Sequence, residues 1–172
     1  MLQVNIIIGS KIKKDMSNFI KETRHVGISV TNLERSLIFY RDILGFKIQR
    51  TMNEKGDFIN KILSNSDVNV KTVKLSVNDG TTLIELLEFK NPKPTIDDIN
   101  IENIGASHVA FTVYEIDKFY KKLLEKGIKF NSNPQTSPDG YAKVAFCEDP
   151  DGMPIELVEI LNPNILNSSK ID

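Results

Sequence analysis

Two β–α–β–β–β modules in tandem, an α+β architecture, are what this chain predicts, and three observations lead there. The stretch His25-Val26-Gly27-Ile28-Ser29-Val30 returns as His108-Val109-Ala110-Phe111-Thr112-Val113. The stretch Leu83-Ile84-Glu85-Leu86-Leu87-Glu88 returns as Pro154-Ile155-Glu156-Leu157-Val158-Glu159. Between the paired stretches the order is the same: a helical period, then strand-like runs. Internal repeats of this kind define architecture before any single residue does. The chain contains only 2 histidines, and both head the same point of the repeat.

The elements follow in order. Residues 25–30 carry apolar side chains at every second position, as a half-buried strand does. A helical period runs through Leu33, Leu37, Tyr40 and Leu44. Thr31 with Glu34 three places on predicts a capping box at its start, and Gly45 its end. Phe46-Lys47-Ile48 predicts a second strand, residues 70–77 a third and residues 82–89 a fourth, with Asp79-Gly80 as the turn before it. The insertion from Asn53 to Asn69 contains Phe58-Ile59-Asn60-Lys61-Ile62-Leu63, the pattern of a short helix. In the second half the strands fall at 108–113, Ile128-Lys129-Phe130, 141–147 and 153–160. The helix there runs through Ile116, Tyr120 and Leu123 to Gly127, and Asp151-Gly152 supplies the last turn. Module one spans residues 22–89, a linker with Pro92 and Pro94 spans 90–104, and module two spans 105–162. Residues 1–21 form an extension and 163–172 a polar tail. A half of about 60 residues buries too little surface alone, so the modules are expected to pack as one domain.

Composition removes whole classes of function. Hydrophobic residues make up 40% and charged residues 26% of 172 residues, a globular balance. Twenty-two basic against 23 acidic residues leave a net charge of -1, which offers no footprint for nucleic acid or an anionic membrane. Cys147 is the single cysteine, so internal disulfides and cysteine-rich metal sites are excluded; it is expected in the core, as are Tyr40 and Tyr120. No apolar run approaches the roughly 20 residues of a membrane span. Val4–Ile8 is too short for a signal peptide, and a cytoplasmic chain is the expectation.

The chemistry lies on the strand faces. His25, Gly27 and Ser29 share one face of the first strand; His108, Ala110 and Thr112 share that of its counterpart. Small residues beside a histidine leave room for a ligand. Glu85 and Glu156 are each flanked by apolar neighbours in a strand of buried character. A buried carboxylate is protonated, salt-bridged or bound to a cation, because isolated burial costs several kcal/mol. A single histidine or glutamate fits an ordinary hydrogen-bonded core. Two of each, at equivalent inward positions and without a basic residue adjacent on that face, favour the cation. Imidazole and carboxylate together suit Ni, Co, Mn, Fe or Zn. Glu88 and Glu159 fall on the opposite face and are expected to be exposed. The loop Asn131–Tyr141 has the composition of a cover over a site, or of a plain connection.

These stretches, with Asp149-Pro150-Asp151-Gly152-Met153-Pro154, closely resemble the vicinal oxygen chelate superfamily over about residues 22–162. That superfamily holds glyoxalase I, methylmalonyl-CoA epimerase, extradiol dioxygenases, fosfomycin-resistance enzymes and bleomycin-binding proteins. The resemblance implies that paired βαβββ modules form a half-barrel around one divalent metal. It also implies His25, Glu85, His108 and Glu156 as the metal ligands, Glu156 as general base with Glu85 as its partner, and a homodimer. Extradiol enzymes need a further histidine, which this chain lacks, and bleomycin-binding relatives lack the ligand set. The expected function is therefore a glyoxalase I-like lyase or isomerase acting through a metal-chelated enediolate on a small oxygenated substrate. A methylmalonyl-CoA-type epimerase and a non-catalytic binding module of the bleomycin-resistance kind are the alternatives. The expected function is lactoylglutathione lyase-like, but where glyoxalase I grips glutathione with arginine and asparagine this chain has Ser29 and Phe89, a departure that puts glutathione itself in question and leaves the metal chemistry intact.

Overall fold

The computed structural model describes residues 19–78, 80–95 and 101–164. Asp79 of the first expected hairpin turn, the middle of the linker, most of the N-terminal extension and the end of the tail lie outside them. Among the described residues no helix is long and apolar enough to cross a membrane.

Module one begins with β1 (His25–Ser29), followed by α1 (Leu33–Leu37), which continues as a π-helical segment, Ile38–Ile43. Next come β2 (Lys47–Lys55), α2 (Asp57–Ile62), β3 (Asn69–Ser76) and β4 (Leu83–Asn91). Module two comprises β5 (Val109–Thr112), α3 (Ile116–Glu125), β6 (Gln135–Thr136), β7 (Ala142–Glu148) and β8 (Pro154–Ile160). Each module folds as a mixed four-stranded sheet, in the orders β1-β4-β3-β2 and β5-β8-β7-β6. In both, the histidine-headed strand is an edge strand parallel to the glutamate strand.

Local chemistry explains the departures from expectation. The cap of α1 is Asn32, whose side chain accepts from the Arg35 N–H, and not Thr31. Thr31 instead donates its N–H to Asp151 of module two. The helical period widens to a π turn, with the Leu44 N–H reaching the Phe39 carbonyl at 2.9 Å. That turn lets two consecutive aromatic residues, Phe39 and Tyr40, both enter the core. The expected strand at 128–130 shrinks to one bridge between Phe130 and Cys147. Ile128 and Phe130 pack on the core, and strand pairing with β7 resumes only at Gln135, past Pro134, which has no N–H to donate.

Buried residues of both modules form one hydrophobic cluster, from Ile28, Leu37 and Tyr40 to Leu123, Ile155 and Leu157. The helical segments supply one side of it and the Ile84/Leu86 and Ile155/Leu157 faces of the sheets the other. Phe46 meets Phe111 edge to face across the modules, with ring centres 5.1 Å apart. Cys147 is buried, and burial pushes its thiol up to about 12. A second cluster seats α2 on the opposite face of the first sheet, where Ile59 packs with Val68, Val70, Leu87 and Phe89.

Polar pins join the modules at the turn before β8. Asp149 is buried and accepts N–H bonds from Asp151 at 2.8 Å and Met153 at 2.9 Å. Burial pushes its carboxyl above the usual range. Asp151 reaches out to Thr31 and to the Arg35 guanidinium.

Neither Glu88 nor Glu159 is the free surface residue expected of it. Glu88 is buried and paired to Lys90 at 2.7 Å. Glu159 accepts the N–H groups of Glu115 and Ile116 at 3.0 and 3.1 Å, capping the start of α3 from the neighbouring strand.

Candidate functional site

The face of each sheet turned away from the main core carries the residues of interest. In module one, Glu85 stands opposite Gly27 in the parallel register. In module two, Glu156 stands opposite Ala110. The small residue in each edge strand leaves the glutamate free to lean toward its histidine. His25 Nε2 lies 2.9 Å from Glu85 Oε2, and His108 Nε2 lies 3.2 Å from Glu156 Oε2. The same pairing is thus built twice, by the same elements.

The four residues do not meet at one point. Among the described residues, no three His, Cys, Asp or Glu side chains are close enough to share an ion. Each module presents one imidazole and one carboxylate, both histidines remaining partly open to solvent. A cavity of about 660 Å³ lies instead beside α1 and is lined by Arg41, Thr51, Lys71, Glu88 and Lys90, away from both pairs.

The modules differ in what surrounds each glutamate. Glu85 is buried, and its second oxygen, Oε1, accepts from Lys74 Nζ at 2.8 Å. Lys74 stands directly across from Glu85 in the β3–β4 register. The expectation of no basic residue beside the glutamates therefore fails for module one, because the neighbouring strand supplies one. At the equivalent place, β7 puts Phe146 across from Glu156. Its ring meets His108 edge-on, with centres 5.5 Å apart. Glu156 is more open than Glu85 and, among the described residues, is tied only through Oε2 to His108. Lys74 was detectable from alternation in β3, which sends Lys74 to the face opposite Val73 and Leu75, but its partner depended on strand register.

Of the remaining expected features, Ser29 lies on the face of His25, and Phe89 is packed under α2 with Ile59 and Val70. The loop before β7 is closed by its own bonds. Asp139 accepts from the Ser137 hydroxyl and the Tyr141 N–H, and chiefly the former holds its carboxyl below the ordinary range.

The donor set fits a divalent ion. Adjacent donors bonded to one ion at about 2.0–2.2 Å stand about 3 Å apart, the separation found within each His–Glu pair. Two neutral imidazoles and two carboxylates are ordinary ligands for a borderline transition metal.

Duplicated βαβββ modules, each with a histidine and a glutamate on its open sheet face, define a paired-module half-barrel protein. The chain belongs to the Glyoxalase/Bleomycin resistance protein/Dioxygenase superfamily, whose model matches residues 23–157. It is 35% identical over 143 residues to the uncharacterised protein YwkD of Bacillus subtilis, covering 81% of this chain and 98% of that one. It is 31% identical over 137 residues to a probable lactoylglutathione lyase of Synechocystis, covering 78% and 92%. A crystal structure of a glyoxalase family protein from Bacillus cereus superposes with a TM-score of 0.77 at 21% identity, covering 86% and 99%, and shows the shared fold.

Proposed function

We propose that this chain is a divalent-metal-dependent lyase or isomerase of the glyoxalase I type, with its site completed across a homodimer. His25 and Glu85 of one copy and His108 and Glu156 of the other would hold the ion. The observation that carries the reading is the duplicated Nε2–Oε2 spacing of 2.9 and 3.2 Å on two open sheet faces. A second copy is the means of bringing two half-sets together when one chain keeps them apart. Exposed apolar residues support this: Phe58 and Ile62, one helical turn apart on α2, are 71% and 59% accessible beside the open face of module one.

When bound, the metal supplies a Lewis acid for the neighbouring oxygens of a substrate. The protein supplies the proton transfer. Glu85, whose second oxygen is held by Lys74, is the static carboxylate. Glu156, with Phe146 where module one has Lys74 and so no second partner among the described residues, can turn, take a proton from the carbon next to the substrate carbonyl and return it to the adjacent carbon. Phe89 under α2 leaves no amide at that position to grip glutathione, so the remote part of the substrate is read differently from that of lactoylglutathione.

Elemental analysis of purified protein, followed by thermal melting with and without chelator, tests the metal. One divalent ion per chain and a chelator-sensitive melt are expected. Solvent proton exchange in deuterium oxide, with a hemithioacetal and a 2-substituted thioester as probes, tests the chemistry. Glu156→Gln should keep the fold and abolish exchange. Metal-loaded protein that exchanges neither probe would overturn the catalytic reading, and a melt indifferent to chelator would favour a binding module.

A further inference from the structure

The two sheet faces that carry the His–Glu pairs are chemically unequal. On module one the positions around Glu85 hold Lys74, with Arg50 across from it on β2, and Thr72 two residues along β3. On module two the corresponding places hold Phe146 and Val144. Lys74 is only 13% exposed at its side chain and, among the described residues, is paired to Glu85 alone. A lysine ammonium has three N–H donors, so two have no protein acceptor among the described residues. Thr72 is fully buried, and its Oγ1 is the one buried side-chain polar atom without a hydrogen bond among the described residues. The Lys74 ammonium therefore has donors to spare in a largely buried place. The other charged strand residues on the two faces, Lys47, Glu54 and Glu148, stand near the strand ends, where solvent screens them.

We propose that Lys74 is a specificity-determining residue, selecting a substrate whose vicinal oxygens include an anionic one, such as the carboxylate of a 2-hydroxy or 2-oxo acid. This rests on the metal reading above. The carboxylates of Glu85 and Glu156 balance the charge of a divalent ion, and the Lys74 ammonium, with Arg50 across from it, leaves positive charge in excess on this side of the assembled site. A neutral chelating pair leaves that charge uncompensated in a partly desolvated place; a carboxylate compensates it and supplies acceptors for the unspent donors. With Phe146 on the opposite wall, the anionic end is drawn to module one.

The test compares glycolate with glycolamide, two ligands of one shape that differ in charge. The full-length chain is saturated with Co2+, and the visible absorption of the bound ion reports each titration. Lys74→Met is expected to weaken glycolate by about tenfold, the size of one charge-assisted hydrogen bond, and to leave glycolamide within about twofold. Lys74→Arg should retain the preference for glycolate, and Lys74→Gln replaces Lys74→Met should the latter fold poorly. Uptake of Co2+ with glycolate binding unchanged in Lys74→Met, or with both ligands weakened alike, overturns the proposal and leaves the metal reading standing. A wild-type chain that takes up no Co2+ overturns both.

Discussion

The Tyr40 hydroxyl donates to Asp149 Oδ2 at 3.0 Å, so a phenol from module one closes the hydrogen bonding of a buried carboxylate in module two. Both residues are within the shared core, and burial, with the nearby carboxylate, holds the phenol well above its ordinary range. Tyr40→Phe removes one donor without changing the packed ring. The expected cost is about 1–3 kcal/mol, the penalty for leaving a buried carboxylate short of a partner. Urea unfolding measures it, and a loss below about 0.5 kcal/mol would show that the contact between modules does not depend on this bond.

Asp149 also gives the fold a pH dependence of known sign. Burial raises its carboxyl above the unfolded value of about 4. The native state then binds the proton more tightly than the unfolded one, so this group contributes stability at low pH and loses it as pH rises through the raised value. Asp149→Asn removes the titration. The difference in unfolding free energy between wild type and Asp149→Asn should therefore shift against wild type as pH is raised from about 4 toward neutrality. A difference independent of pH would show that the N–H groups of Asp151 and Met153 cancel the effect of burial.

The exposed pair on α2 predicts the assembly. Phe58→Asp places a charge on a side chain that touches little within its own chain. Its effect on monomer stability should stay within about 0.5 kcal/mol, while light scattering should report dimers for wild type and monomers for Phe58→Asp. Metal uptake should fall with the dimer. A wild-type protein that is monomeric at all concentrations yet binds metal would refute the shared site.

Much of this architecture is legible in the sequence because duplication displays each element twice. The strands headed by His25 and preceding Glu156 lie within a residue or two of their expected limits. The helices closed by Gly45 and Gly127 end as those glycines require, at φ of 81° and 80°. What the pattern hid depends on register and on contacts between distant segments. The pairing of Lys74 with Glu85 appears only when β3 is laid beside β4. The capping of α3 by Glu159 needs β8 beside that helix. The π turn at Ile38–Ile43 answers a tertiary demand, the burial of Phe39 and Tyr40 together, that helical periodicity does not contain.

The mismatch between Lys74 on one sheet and Phe146 on the other has a stereochemical corollary. In the proposed site, a ligand bridging two such unlike walls would have one preferred direction of entry, so only one side of its prochiral carbon would be offered to Glu156. Handedness in the product would then originate in the divergence of the two halves of the duplication, and exchanging the residues at positions 74 and 146 should blur it.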